Sequence, residues 1–179
     1  LQNHYSYSEV AMYAAAMQWF LLLMFIPVVL RNVILSYFSK QIEDNSNVFK
    51  YAMITSFAST VIPAVLIIVF SPLIEDLYGD SFHGLAKIIR VLAIIPVFVG
   101  VVNVMEQFLF SRSKNWTVFF ICFAKDMGTS LLFAWLIFYK GIESAAYYLS
   151  ISYLILSFIS FLIYMIMYFK TDYFLSDIK

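Results

Sequence analysis

Five long apolar runs dominate the chain, at residues 10–35, 51–74, 88–110, 116–139 and 145–169. Each exceeds the roughly 20 residues that cross about 30 Å of hydrocarbon as a helix. None shows the alternation of short segments that a membrane β-barrel requires. Apolar residues make up 63% of the 179, against roughly 45–50% in ordinary globular chains. A soluble domain of this size could not hide that surface, so lipid must cover much of it. The expected fold class is an all-α membrane protein of five transmembrane helices, forming one domain over residues 1–179. "SKQIEDNSNVFK", "EDLYGDSFHGLAK", "SRSKN" and "KGIES" connect the spans. The last is short enough to force the fourth and fifth helices into an antiparallel hairpin.

Five spans put the two ends on opposite sides of the membrane. Lys40, Lys50, Arg112, Lys114, Lys170 and Lys179 fall on one side, and Lys87 and Lys140 in loops on the other, with Arg90 just inside the third span. The positive-inside rule then predicts an outer N-terminus and a cytoplasmic C-terminus. Tyr37, Tyr51, Trp116 and Tyr168 form one expected interfacial belt; Tyr139, Tyr147 and Tyr148 form the other.

Net charge is zero, and nothing points to a nucleic-acid partner. Cys122 lies inside an apolar run and reads as a core residue with no disulfide partner. No signal peptide is expected, and a start at Leu1 reads as a piece of a longer protein. "NWT" at residues 115–117 matches a glycosylation acceptor but falls in a loop assigned to the cytoplasm. His4 and His83 fall in expected loops, His83 beside Asp80. With no metal cluster, phosphate loop or nucleophile elbow, the chain reads as a non-enzyme without cofactor or metal.

Charged and polar residues inside the spans are the informative feature. Lys125 and Asp126 sit near the middle of "FFICFAKDMGTSLLFAWLIF", where flanking apolar runs of about nine and twelve residues are too short to span alone. A charge there costs about 2.5–3.5 kcal/mol on insertion scales and marks a functional site by default. Adjacent side chains point about 100° apart, which predicts a poor direct pair. Two readings stand: a static bridge from Lys125 to Glu106, or a polar cavity. On the third span Asn103, Glu106 and Gln107 recur at helical spacing, as a pathway lining or an interfacial end. Arg31 is a further pathway candidate, or snorkels to the headgroups. Pro27, Pro63 and Pro96 fall within spans, as packing kinks or as hinges. Ala11, Ala14, Ala15 and Gln18 share one face, expected to pack against a neighbour, and Gly128 would permit close helix approach.

Three stretches carry a family resemblance. "YSYSEVAMYAAAMQWFLLLMFIPVVL" resembles the start of the eighth helix in the polysaccharide and O-antigen flippases of the MOP exporter superfamily. "SPLIEDLYGDSFHGLAKIIRVLAI" is similar to that family's next hairpin. "YKGIESAAYYLSIS" resembles the start of its twelfth helix; Ala11 in the first stretch and Ser144 in this one stand where the family usually has Gly. The resemblance implies helices eight to twelve of a bacterial inner-membrane transporter, most of its C-terminal bundle. The partners it implies are the bilayer, an N-terminal helical half and a polyprenyl-pyrophosphate-linked oligosaccharide substrate. Such a carrier flips its substrate by alternating access through a polar cavity. Lys125 would then attract the pyrophosphate, and Asp126 would set cavity polarity or accept a proton. A multidrug antiporter of the same superfamily, a glycan polymerase and an acyltransferase are the alternatives.

Overall fold

The computed structural model describes residues 2–39, 45–141 and 144–170. They form α1 (Gln2–Ser39), α2 (Asn45–Tyr78), α3 (Leu85–Ser111), α4 (Asn115–Lys140) and α5 (Ala145–Lys170), with a 3₁₀ turn at Asp80–Phe82. All five helices are long and apolar enough to cross a membrane, so the chain is a multi-pass helical membrane protein. α1 and α2 outrun their apolar cores, because solvated end turns add helix without adding hydropathy. His4 therefore lies in α1, not in a loop. "NWT" likewise opens α4 as its first turn.

The helices run up and down, and α3 is the central one. Its side chains from Leu85 to Leu109 are mostly buried, whereas α4 buries Val118 alone. α1, α2 and α5 pack on α3, while α4 leans on α5 and touches α3 sparingly. One apolar core joins Phe20, Leu23 and Ile67 to Ile89 and Leu92. A second joins Phe38 and Phe49 to Met105, Phe108 and Tyr164. Phe38 and Phe49 each meet Phe108 edge to face there, at 5.5 and 5.4 Å, and Tyr168 stacks on Phe49. Tyr51, Trp116 and Tyr139 are exposed at the two ends, as the belts require. Lys50, Arg112 and Lys114 share one end of the bundle; Lys40 and Lys179 lie outside the described residues.

Two carboxylates tie helix N-termini across the opposite end. Glu75 of α2 accepts hydrogen bonds from the Gly84 and Ala86 N–H groups at 3.1 and 2.7 Å. A negative group at a helix start satisfies orphan donors and complements the helix dipole. Gly84 makes this possible by adopting φ +99, a conformation cheap only for glycine. His83 meets Glu75 at 3.2 Å, not Asp80. Glu9 of α1 accepts from the Ala146 N–H at 3.0 Å, which clamps the starts of α1 and α5 together.

The prolines sit inside continuous helices: Pro27 in α1, Pro63 and Pro72 in α2, Pro96 in α3. Pro72 deprives the Ile68 carbonyl of its usual donor. The Ser71 hydroxyl replaces that donor at 2.8 Å, and accepts from Arg90 Nε at 2.7 Å. A cation from the end of α3 is thereby satisfied without an acid.

Close approach is concentrated at two glycines. The Ser56 hydroxyl donates to the Gly100 carbonyl at 2.7 Å, drawing α2 onto α3. A Cβ on Gly128 would stand 2.9 Å from Leu156 Cδ1, so α4 and α5 meet there as the sequence predicts. The small-residue face of α1 is corrected. Ala15 and Ala16 are buried, while Ala11, Ala14 and Gln18 are not. The buried stripe of α1 is set by where α3 lies, and lipid tolerates small residues on the other faces.

Candidate functional site

The gap left between α3 and α4 is a polar cavity of about 240 Å³. Its lining includes Arg31 from α1, Asn103 and Glu106 from α3, Lys125 and Asp126 from α4, and Ser157 and Ser160 from α5. All five sequence-predicted pathway residues thus come together from three helices, although Arg31 and Lys125 are 94 positions apart. Lys125 lies ten residues past Asn115, about 15 Å along the helix axis. Arg31 and Glu106 lie eight and five residues from the opposite ends of α1 and α3, about 12 and 8 Å deep. The site therefore occupies the half of the bundle nearest the Arg112 end.

Glu106 anchors its inner wall. It is only 8% exposed, so it points into the bundle and not out from its surface. The Cys122 thiol donates to its carboxylate at 3.3 Å and the Tyr164 hydroxyl at 3.4 Å. Both donors are neutral, and among the described residues no cation forms an ion pair with Glu106. Cys122 is thus more than a core residue: it lines the cavity and carries a bond from α4 to α3.

Lys125 makes no bridge to Glu106. Its Nζ sits 3.6 Å from Asp126 Oδ1 and 5.9 Å from the centre of the Tyr153 ring. The adjacent pair is therefore a poor one, as side chains 100° apart predict: the long lysine stem bends toward Asp126 but stays beyond hydrogen-bond distance. The pair is loose and half open, with Lys125 20% and Asp126 72% exposed at the side chain. At 3.6 Å the contact is longer than a hydrogen bond, so the Lys125 ammonium keeps donors for another anion. Arg31 forms no ion pair among the described residues and is exposed along the cavity wall.

Gln107 separates from its expected stripe. It is buried away from the cavity lining, and its Nε2 has no hydrogen-bond partner. One turn of helix carries Asn103 and Glu106 toward α4, and the next position, 100° on, faces elsewhere.

Sequence reasoning missed the contribution of α5. Ser150, Tyr153, Ser157, Ser160 and Tyr164 fall at i, i+3, i+7, i+10 and i+14, a single polar stripe within "SISYLILSFISFLIY". The four serine and tyrosine positions other than Tyr153 are buried. Ser150 donates to its own helix, to the Ala146 carbonyl. Ser157, 2% exposed, has a hydroxyl with no partner. The signal was present as a repeat of small polar residues at helical spacing.

No family model, curated protein or solved structure matches this chain. The described residues contain no group of three or more metal-ligating side chains. What the site offers is a cavity within the spans, toward the Arg112 end, holding two cations, two carboxylates, an amide and an unpartnered hydroxyl.

Proposed function

We propose that the chain forms part of a membrane transporter whose substrate is a lipid-linked oligosaccharide with a phosphate-bearing headgroup. Transport would run from the cytoplasmic leaflet to the outer leaflet of a bacterial inner membrane. The observation that carries this reading is the cavity shared by Arg31, Asn103, Glu106, Lys125 and Asp126 inside a bundle of membrane-spanning helices. Charges at that depth are retained only against a cost, and a static structural pair would have closed the gap between them. Here the gap stays open, with Lys125 and Glu106 on its two sides. The sequence resemblance to polysaccharide flippases supports the substrate class. Arg31 and Lys125 suit a phosphate, and Glu106, Asn103 and Ser157 suit sugar hydroxyls.

Alternating access requires a second bundle to rock against this one, and helices that bend. Pro27, Pro63 and Pro96 fit the role of bending points, since each removes one backbone hydrogen bond at mid-helix. Exchange of a small organic cation is the second reading, favoured by the two carboxylates in the cavity.

The test uses the whole transporter in proteoliposomes and a fluorescent polyprenyl-pyrophosphate oligosaccharide whose leaflet is reported by an impermeant quencher. Lys125→Gln is expected to slow flipping by about tenfold or more, which is ~1.4 kcal/mol of barrier. Lys125→Arg should keep part of the rate, and Glu106→Gln with Lys125→Gln should stay as slow as Lys125→Gln. Normal flipping by that double variant would refute the cavity role of Lys125. Uptake of an organic cation in place of the glycolipid would favour the second reading.

A further inference from the structure

Beside the polar cavity lies an apolar groove of about 240 Å³ between α4 and α5, lined by Phe120, Ala124, Leu156, Ile159 and Ile163. Lys125 and Ser160 line both spaces and stand at their junction. The groove lies on the Asn115 side of the tight α4–α5 crossing at Gly128 and Leu156. Phe120, Ile159 and Ile163 are each more than 40% exposed within membrane-spanning segments, so the groove opens on the apolar surface of the bundle. A second apolar groove, lined by Phe57, Phe98 and Phe161 between α2, α3 and α5, shares no residue with the polar cavity.

We infer that the α4–α5 groove holds the hydrocarbon tail of the ligand whose phosphate head enters the polar cavity, with Lys125 at the joint between head and tail. This rests on the transport reading of the same cavity and adds where the lipid part goes. Three groups favour a phosphate head. The Lys125 ammonium is only loosely held by Asp126, Arg31 has no ion pair among the described residues, and the Ser157 hydroxyl has no partner. An anion with several acceptor oxygens can satisfy all three.

The junction also selects the kind of tail. Lys125 lines cavity and groove at once, so a phosphate held by it sits beside the groove, which suits a phosphate joined directly to the chain that fills the groove. A polyprenyl phosphate has that form. In a diacyl glycerophospholipid, a glycerol and a second chain intervene between phosphate and tail.

The experiment photolabels the reconstituted whole transporter with a polyprenyl phosphate carrying a diazirine near the head of its tail, and maps the labelled peptides by mass spectrometry. Labels are expected on α4 and α5 around Ala124 and Ile159. Unlabelled polyprenyl phosphate should compete about tenfold better than phosphatidylglycerol or uncharged polyprenol. Ala124→Trp, which fills the groove, should remove most of the labelling. Lys125→Gln leaves the apolar packing intact and should erase the advantage of polyprenyl phosphate over polyprenol. Labelling in the Phe57–Phe98 groove, equal competition by phosphatidylglycerol, or an undiminished phosphate preference in Lys125→Gln would each overturn the inference. Labelling at α4–α5 without flipping would sink the transport reading alone. Flipping with labels elsewhere would sink this inference alone.

Discussion

Replacing Gly100 by alanine tests how tightly α2 is held to the central helix. A Cβ at this position would stand 2.9 Å from Thr60 Cγ2 and 3.2 Å from Ser56 Oγ. Thr60 is fully buried and β-branched, and its hydroxyl is fixed by the Ser56 and Phe57 carbonyls at 3.0 Å. Its methyl therefore cannot swing aside, and the helices must separate by several tenths of an ångström. Overpacking of this kind costs about 1–3 kcal/mol. Any stretching of the Ser56–Gly100 hydrogen bond adds up to about 0.6–1.7 kcal/mol, the range for polar contacts between membrane helices. Alanine's better helix propensity returns up to about 1 kcal/mol. The expected net is about 1–2 kcal/mol of destabilisation, read as reversible unfolding in bicelles. Thr60→Ser removes the obstructing methyl and keeps the hydroxyl, so the double variant should be more stable than the sum of the two single changes by about 1 kcal/mol. A Gly100→Ala protein as stable as the parent, or strict additivity in the double variant, would refute the close-contact argument.

Two further outcomes follow from the same structure. Ser71→Ala removes the donor that replaces the one lost at Pro72, and should cost about 1–3 kcal/mol for the orphaned Ile68 carbonyl. Adding Pro72→Ala restores the backbone donor, so the double variant should unfold later than Ser71→Ala in the same bicelle titration. Cysteine labelling in whole cells checks the orientation: an impermeant thiol reagent should modify Ser81→Cys, beside the capped start of α3, and spare Ser113→Cys in the α3–α4 turn. The reverse pattern would invert the topology.

Hydropathy read along the chain was enough to find all five helices, because a span of this length in lipid has to satisfy its own backbone and only a helix does so. It also found Lys125, Asp126, Glu106, Asn103 and Arg31, since a polar group in an apolar run is visible without knowing its neighbours. The antiparallel α4–α5 hairpin followed from the shortness of its connection. The polar stripe of α5 was legible too, as a spacing of serines and tyrosines, but its small residues carry weak individual signals.

Which residues meet was decided by tertiary structure. The sequence left Lys125 open between a bridge to Glu106 and a cavity; packing α4 on α5 instead of α3 keeps the two apart across an open space. Only the fold makes Glu9 and Glu75 caps for helices that begin at Ala145 and Leu85. The central place of α3 and the inward face of α1 were equally hidden. In water, the buried face of a helix is marked by its apolar stripe. In a bilayer the surrounding lipid is as apolar as the core, so both faces carry the same residues and periodicity loses its direction. What then sets the arrangement is the fit of small groups such as Gly100 and Gly128 against side chains far away in sequence.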